Sequence, residues 1–326
     1  MPVDEDIGFR PGGDAPSNPG RRTFLKGVAI AAGTASIAAA SPATRKREDP
    51  AVEELAAEHA RDSALLIDLT QCVGCGKCAQ ACKVDNGLEW REDQPVKGPD
   101  AALASSNWTV VHSEGSVGGD GEPRFVRQQC MHCLEPACVS ACFVKALEKT
   151  ESGAVVYDGN RCVGCRYCQM ACPFSVPTFE WEETFGRISK CDFCFERTSL
   201  GKPTVCAEVC PRGALTFGRR DEMIAEAHRR IGAMPETYVP HVYGETEVGG
   251  TSVLYISDVD FELLGFRTSL PETPLPEYTW QITRLIPPVA TGIFATLLAL
   301  YIRRRRAILD AEDAAMAAEA DAEVTS

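Results

Sequence analysis

Cys162-Val163-Gly164-Cys165-Arg166-Tyr167-Cys168-Gln169-Met170-Ala171-Cys172-Pro173 is the stretch on which the reading of this chain turns. Its spacing is C-x2-C-x2-C-x3-C-P. Three thiols set two residues apart can curl around three corners of a small metal core in one tight loop. The fourth lies on the following helical turn and faces away from that loop. Such a run supplies soft thiolates in fours, as an iron–sulfur cubane requires. Loops of this shape also turn backbone N–H groups toward the sulfides of an anionic core.

Outward from this run, all sixteen cysteines of the 326-residue chain lie between Cys72 and Cys210, in four groups of four. Cys72, Cys75, Cys78 and Cys82 repeat the spacing without the proline. Cys130, Cys133, Cys138 and Cys142 read C-x2-C-x4-C-x3-C, and Cys191, Cys194, Cys206 and Cys210 read C-x2-C-x11-C-x3-C before Pro211. These are sixteen candidate ligands, enough for four [4Fe–4S] clusters. The run is that of bacterial ferredoxins, whose fourth cysteine reaches the neighbouring cluster. Dense cysteine also marks disulfide scaffolds, but those are short, and this chain is long and 44% hydrophobic. Zinc ribbons use pairs with longer gaps, not tight triplets.

Both termini carry topogenic signals. Gly20-Arg21-Arg22-Thr23-Phe24-Leu25-Lys26 precedes a mildly apolar stretch, Gly27 to Ala40, with small residues Ala38, Ala40 and Ala43 at candidate cleavage sites. This reads as a twin-arginine export signal, too short and too weakly apolar to span a bilayer. Export of folded protein lets clusters be inserted in a reducing compartment first. At the other end, Leu285–Ile302 carries no charge and as a helix is about 27 Å long, close to a bilayer core of about 30 Å. Tyr278, Trp280 and Tyr301 flank it, and Arg303–Arg306 against Arg284 place the C-terminus in the cytoplasm. A buried core helix is the other reading of that length.

Between the ends, strands are expected at Ala64–Thr70, Trp108–His112, Arg124–Arg127, Ala146–Thr150, Ala154–Asp158, Ala214–Phe217 and Thr251–Ile256. A helix is expected over residues 221–232 and a Pro-rich linker over 271–277. The fold class is α+β: two ferredoxin-like 2[4Fe–4S] modules with small β insertions, plus one C-terminal transmembrane helix. The expected divisions are 1–43 signal, 44–63 polar lead-in, 64–220 four-cluster domain, 221–284 extension and linker, 285–302 span, and 303–326 cytoplasmic tail. The net charge of −13 argues against nucleic-acid binding.

The order of the four groups resembles the four-cluster electron-transfer subunits of membrane-bound bacterial oxidoreductases. Within that family it is most similar to the HybA-type subunit of nickel–iron hydrogenases. The likeness rests on Cys130-Met131-His132-Cys133, on Cys165-Arg166-Tyr167-Cys168 and on Val239–Ser257. It implies crossed ligation: Cys72, Cys75 and Cys78 with Cys210; Cys191, Cys194 and Cys206 with Cys82; Cys130, Cys133 and Cys138 with Cys172; Cys162, Cys165 and Cys168 with Cys142. One departure stands out: Phe143 follows Cys142 where the family has proline. His132 reads as a loop residue, because the cysteines fill every cluster position. Lys77 and Arg166, between ligands, would raise local potentials or be solvated surface. Trp90, Trp108 and Trp181 read as packing or interface residues.

No nucleophile–base pair, phosphate loop or substrate pocket is legible. The expectation is therefore a non-catalytic subunit. It would pass electrons between an exported catalytic subunit and an integral membrane subunit that handles quinone, on the periplasmic side of the membrane. Nickel–iron hydrogenase is the expected catalytic partner, and a molybdopterin enzyme such as formate dehydrogenase is the rival. A non-redox iron–sulfur or zinc scaffold is the alternative of another class.

Overall fold

The apolar run Ala64–Ile67 lies in β1 (Ser63–Asp68), the middle strand of the largest sheet in a computed structural model. The structure describes residues 62–117, 121–184 and 186–324, so the export signal and nearly all of the lead-in lie outside the described residues. Leu65 and Ile67 join one core cluster while Ala64 and Leu66 join another. A strand buried on both faces reads as continuously apolar, which is the pattern here. β8 (Leu215–Arg219) pairs with β1 antiparallel and β9 (Val253–Ile256) pairs with it parallel. The strand after Cys210 therefore closes onto the strand before Cys72, which brings the first and last cysteine groups together.

The remaining strands are short antiparallel pairs: β2 (Val110–Ser113) with β3 (Phe125–Gln128), β4 (Leu147–Lys149) with β5 (Val155–Tyr157), and β6 (Thr178–Phe179) with β7 (Ile188–Ser189). The last pair gave no periodic signal in the sequence, since two residues per strand are too few to alternate. The helices of the cysteine region are α1 (Lys77–Asp85), α2 (Ala137–Ser140), α3 (Tyr167–Ala171), α4 (Phe195–Thr198) and α5 (Val205–Glu208). α6 (Arg220–Ala233) sets Met223 and Ala227 against Ala64, Leu66, Leu254 and Ile256.

Asp68 closes β1 and steers the chain into the first cysteine group. Its fully buried carboxylate accepts from Thr70 N (3.1 Å), Gln71 Nε2 (2.9 Å), Tyr238 Oη (2.9 Å) and Arg230 Nη1 (3.0 Å). Multiple donors and a counter-charge are what make such burial tolerable. The resulting 3-10 turn, Leu69–Gln71, delivers Cys72.

The C-terminal region departs from expectation in one place. The linker is shorter than residues 271–277, because α7 (Leu275–Thr283) starts inside it. Proline is tolerated in a first helical turn, where its missing N–H would be unpaired anyway. α8 (Ile286–Val324) runs through Arg303–Arg306 into the acidic tail. Alanine, glutamate and arginine are strong helix formers, so four positive charges do not end the helix. This is one long apolar C-terminal helix, and none of its most apolar window is buried against protein.

Candidate cluster-binding sites

The cysteine loops are built from left-handed backbone. Gly74 (φ 64°) and Gly76 (φ 73°) punctuate the first group, Gly164 (φ 69°) and Arg166 (φ 62°) the third, Phe193 (φ 66°) and Cys194 (φ 48°) the fourth, and His132 (φ 48°) the second. Such residues turn successive N–H groups toward one point. Several N–H groups already donate to sulfur: Gly164 N to Cys162 Sγ (3.4 Å), Phe193 N to Cys191 Sγ (3.4 Å) and Ala146 N to Cys142 Sγ (3.2 Å). At Gly74 a Cβ would sit 2.2 Å from the Phe125 ring, so glycine is required there for space as well as for φ.

The helices present the other thiols. α1 carries Cys78 and Cys82 one turn apart, hence on one face. α2, α3 and α5 carry Cys138, Cys168 and Cys206, and Cys142, Cys172 and Cys210 come just after them. The tertiary fold sorts these thiols into sets. Cys72, Cys75, Cys78 and Cys210 line one cavity, and Cys82, Cys191, Cys194 and Cys206 line another. Cys133 has Cys172, Cys130 and Cys138 as electrostatic neighbours, and Cys168 has Cys162, Cys142 and Cys165. The sets adjoin in a row: Cys78 neighbours Cys206, Cys191 neighbours Cys130, and Cys138 neighbours Cys168. Trp108 packs with Cys191, Cys130 and Cys172 at the middle junction.

All sixteen cysteines are free thiols. Burial pushes Cys78 and Cys168 up to about 11, and Cys82, Cys138 and Cys194 to about 12, with neighbouring cysteines adding repulsion. Cys133 and Cys191 are raised well above the ordinary thiol range for the same reason. These thiols become thiolates when positive metal displaces their protons. Among the described residues no three His, Cys, Asp or Glu side chains are gathered tightly enough to hold a single metal ion. A zinc ion needs four donors within about 2.3 Å, so the wider spacing fits a polynuclear core.

A second observation tests the fit. Buried donors without a partner among the described residues concentrate around the cysteines: Arg127 Nε and Nη1, Gln129 Nε2, His132 Nε2 and Trp108 Nε1. Arg127 and Gln129 line the cavity of Cys82, Cys191, Cys194 and Cys206. Orphaned donors this deep are rare and call for an acceptor. Cluster sulfides and cysteine sulfurs are acceptors of the right kind. His132 Nδ1 accepts from Val155 N at 2.9 Å, so in the neutral ring Nε2 carries the proton. Burial, with Lys190 nearby, holds that ring neutral.

Several residues here escaped the sequence reading. Lys83 is buried and donates to Ser106 O (3.0 Å) and Asn107 Oδ1 (2.5 Å), fastening α1 to the insertion. Lys190 donates to Cys191 O (2.9 Å) and Val155 O, and Lys149 to Gly153 O (2.7 Å). Arg127 sits on a strand too short to show which side chains face inward. The signal for Lys83 was its place directly after Cys82, where Cys172 and Cys210 have proline. Arg166 lays its guanidinium over Trp181 (4.5 Å) and Phe179 (5.3 Å), which anchors its left-handed backbone. Phe143 is 69% exposed.

The description "4Fe-4S dicluster domain" matches residues 122–220, and "4Fe-4S binding domain" matches residues 65–86. The chain is 43% identical over 305 residues to a protein of Nitratidesulfovibrio vulgaris (strain Hildenborough), covering 91% of this chain and 80% of that one. It is 35% identical over 278 residues to the hydrogenase-2 operon protein HybA of Escherichia coli O157:H7, covering 75% of this chain and 82% of that one. The chain belongs to the HybA-type family of iron–sulfur electron-transfer subunits. Formate dehydrogenase subunits are part of the same kinship: the nitrate-inducible iron–sulfur subunit of Escherichia coli (strain K12) is 34% identical over 251 residues, 74% of this chain and 84% of that one. As a HybA-type subunit the chain carries four [4Fe–4S] clusters and serves electron transfer.

Proposed function

We propose that the chain conducts electrons between an exported catalytic subunit and a membrane subunit that handles quinone. The catalytic partner in this reading is a nickel–iron hydrogenase. The single observation that carries it is the row of four cysteine sets, each adjoining the next. A structural scaffold has no need of sites in series, whereas one-electron carriers do.

In this reading the ligands are the crossed sets, in which Cys82, Cys142, Cys172 and Cys210 each serve a cluster of another group. The two ferredoxin-like modules then share their sites across the fold, so folding and cluster insertion are one event. The clusters supply the electron-accepting centres. The protein's part is to turn N–H groups toward sulfur at Gly164 and Phe193, to exclude water from Cys78, Cys82 and Cys206, and to hold cations nearby. Residues 1–43 act as the twin-arginine signal. Leu285–Ile302 spans the membrane, with Arg303–Arg306 on the cytoplasmic side and the clusters on the periplasmic side.

Formate dehydrogenase remains the second reading, because a formate dehydrogenase subunit matches over nearly as much of the chain as HybA does. Metal analysis of the co-purified complex separates the two: nickel supports the hydrogenase partner and molybdenum the other. About sixteen irons and sixteen acid-labile sulfides per chain are expected, reducible by dithionite. Stoichiometric zinc with little iron sinks both.

A further inference from the structure

The cavity shared by the first and last cysteine groups is lined by a guanidinium that has no ion-pair partner among the described residues. Arg127 is 2% exposed, and its Nε and Nη1 find no acceptor among the described residues. No carboxylate of a described residue pairs with it. Asp192 lines the same cavity, but its carboxylate accepts from Cys194 N at 2.9 Å. The other buried cations among the described residues are provided for: Lys190 donates to two carbonyls, Lys83 to Ser106 O and Asn107 Oδ1, and Arg220 to Thr251 O and Glu245 O. A guanidinium cannot shed its proton in a protein, so the charge stays. Burying it without a counter-charge is strongly unfavourable, as for any isolated ion taken out of water.

Its strongest electrostatic neighbours are Cys206 and Cys78, followed by Tyr255 and Cys191. Cys78 belongs to the set with Cys72, Cys75 and Cys210, whereas Cys206 and Cys191 belong to the set with Cys82 and Cys194. The guanidinium therefore lines the cavity of Cys82, Cys191, Cys194 and Cys206, and its charge is also felt at Cys78 of the neighbouring set. Its backbone is fixed as well: β3 pairs Arg127 with Val111, and its carbonyl accepts from Tyr255 Oη at 2.8 Å. A planar fork with several donors, held at the junction of two anionic cores, can give hydrogen bonds to sulfur on both sides.

We infer that Arg127 is the shared counter-charge of the two cluster sites formed by the first and fourth cysteine groups, raising the reduction potential of both. The inference rests on the ligand sets proposed above. Each cluster gains one negative charge on reduction, and a fixed neighbouring cation favours the more negative state. Charge and hydrogen bonds to sulfur are the levers that set such potentials. Arg127 acts through the clusters and touches no substrate, so it is a positioning residue.

The test uses the full chain with clusters in place, comparing wild type, Arg127→Gln and Arg127→Lys by redox titration followed by electron paramagnetic resonance, with iron and sulfide assays. In Arg127→Gln two of the four centres should titrate at lower potential while the other two stay put. These two are the centres whose signals respond to Cys78→Ser and Cys206→Ser. Arg127→Lys, which keeps charge and loses the fork, should shift the same two by less. Full iron content with all four potentials unchanged in Arg127→Gln overturns the inference. So does a shift confined to one centre, or equal shifts in both variants, which would indicate packing. If Arg127→Gln sheds iron, selective loss of those two centres supports the shared role and loss of all four refutes it. A wild-type chain without four reducible clusters fails the ligand reading instead, so the two failures are distinct.

Discussion

The first and third cysteine groups have the same internal spacing and the same pair of left-handed positions, yet they meet different surroundings. In the first, Gly74 lies against the Phe125 ring, and Lys83 is buried on the carbonyl of Ser106 and the side chain of Asn107. In the third, a Cβ at Gly164 would meet nothing closer than 3.6 Å, and Cys165 is the one exposed cysteine of the sixteen. Tyr167 and Met170 are exposed on that run, whereas Val163 and its counterpart Val73 in the first run are exposed alike. The insertion over residues 83–129 accounts for the contrast, because its hairpin and its Asn107 turn cover the first run. Spacing sets the local loop and its N–H groups. Solvent access is set by what the rest of the chain lays over it.

The largest expected effect breaks or keeps the pairing on which the comparison stands. Cys82→Ser and Cys194→Ser should abolish the same spectroscopic signal, with loss of about four of about sixteen irons in each. Cys142→Ser should instead act on the signal lost in Cys168→Ser. Different signals lost from Cys82→Ser and Cys194→Ser would dissolve the crossed sets and the row built from them.

Glycine substitution sharpens the contrast between the two runs. Gly74→Ala should cost about 2–4 kcal/mol, combining left-handed strain with a clash into the half-buried Phe125 ring, and Gly164→Ala only about 1–2 kcal/mol of strain. Thermal loss of cluster absorbance measures both. Equal shifts in midpoint would mean that Phe125 yields freely and the first run is no more constrained than the third.

Next in size are the side chains that fasten each run. Lys83→Met should destabilise by about 1–3 kcal/mol, because the Asn107 side chain and the Ser106 carbonyl lose a charged donor. Arg166→Ala should cost about 1 kcal/mol or less, as a partly exposed cation–aromatic contact does, and should change Trp181 fluorescence. A larger loss from Arg166→Ala than from Lys83→Met would reverse the ranking of covered over open surroundings.

The smallest effect falls outside both runs and serves as their control. His241 Nε2 lies 2.7 Å from Glu247 Oε1 in the C-terminal extension. The hydrogen bond to Glu247 raises His241 above its ordinary 6.5. Burial opposes ionisation of Glu247, but bonds from His241 and Gly244 N win and hold it below 4.5. The histidine's contribution is complete below about 6.5 and fades as pH rises through its folded value; the glutamate's is complete above about 4.5 and fades as pH falls through its own. The stability lost in Glu247→Gln should be greatest between about pH 4.5 and 6.5, shrink toward pH 8, and leave cluster signals unchanged. A difference that grows toward alkaline pH would contradict the pairing.

Much of the fold was legible because its signals are local. β1, the β2–β3 and β4–β5 pairs, β8, α6 and β9 each announced themselves through apolar runs, turn glycines or helical periodicity. The two-residue strands β6 and β7 are too brief to carry a period. The continuation of α8 past Arg306 was open to the sequence, because the alanine- and glutamate-rich residues 307–326 favour a helix. Burial of Lys83, Lys190, Arg127 and Arg220 was unreadable for another reason: a basic residue is ordinarily at the surface, and only its neighbours can show otherwise.

From the sequence alone came the sixteen thiols, their division into fours, the cofactor and its number, and the apolar C-terminal helix. Each follows from spacing along the chain, where covalent geometry limits what neighbouring residues can reach. Tertiary structure decided that the sets implied by the resemblance adjoin one another, that Arg127 lies beside them with no ion-pair partner among the described residues, and that Cys165 of the third run is exposed. These depend on β8 and β9 closing on β1 and on an insertion folding over one run. Contacts between residues far apart in sequence are set by packing, and spacing carries no record of them.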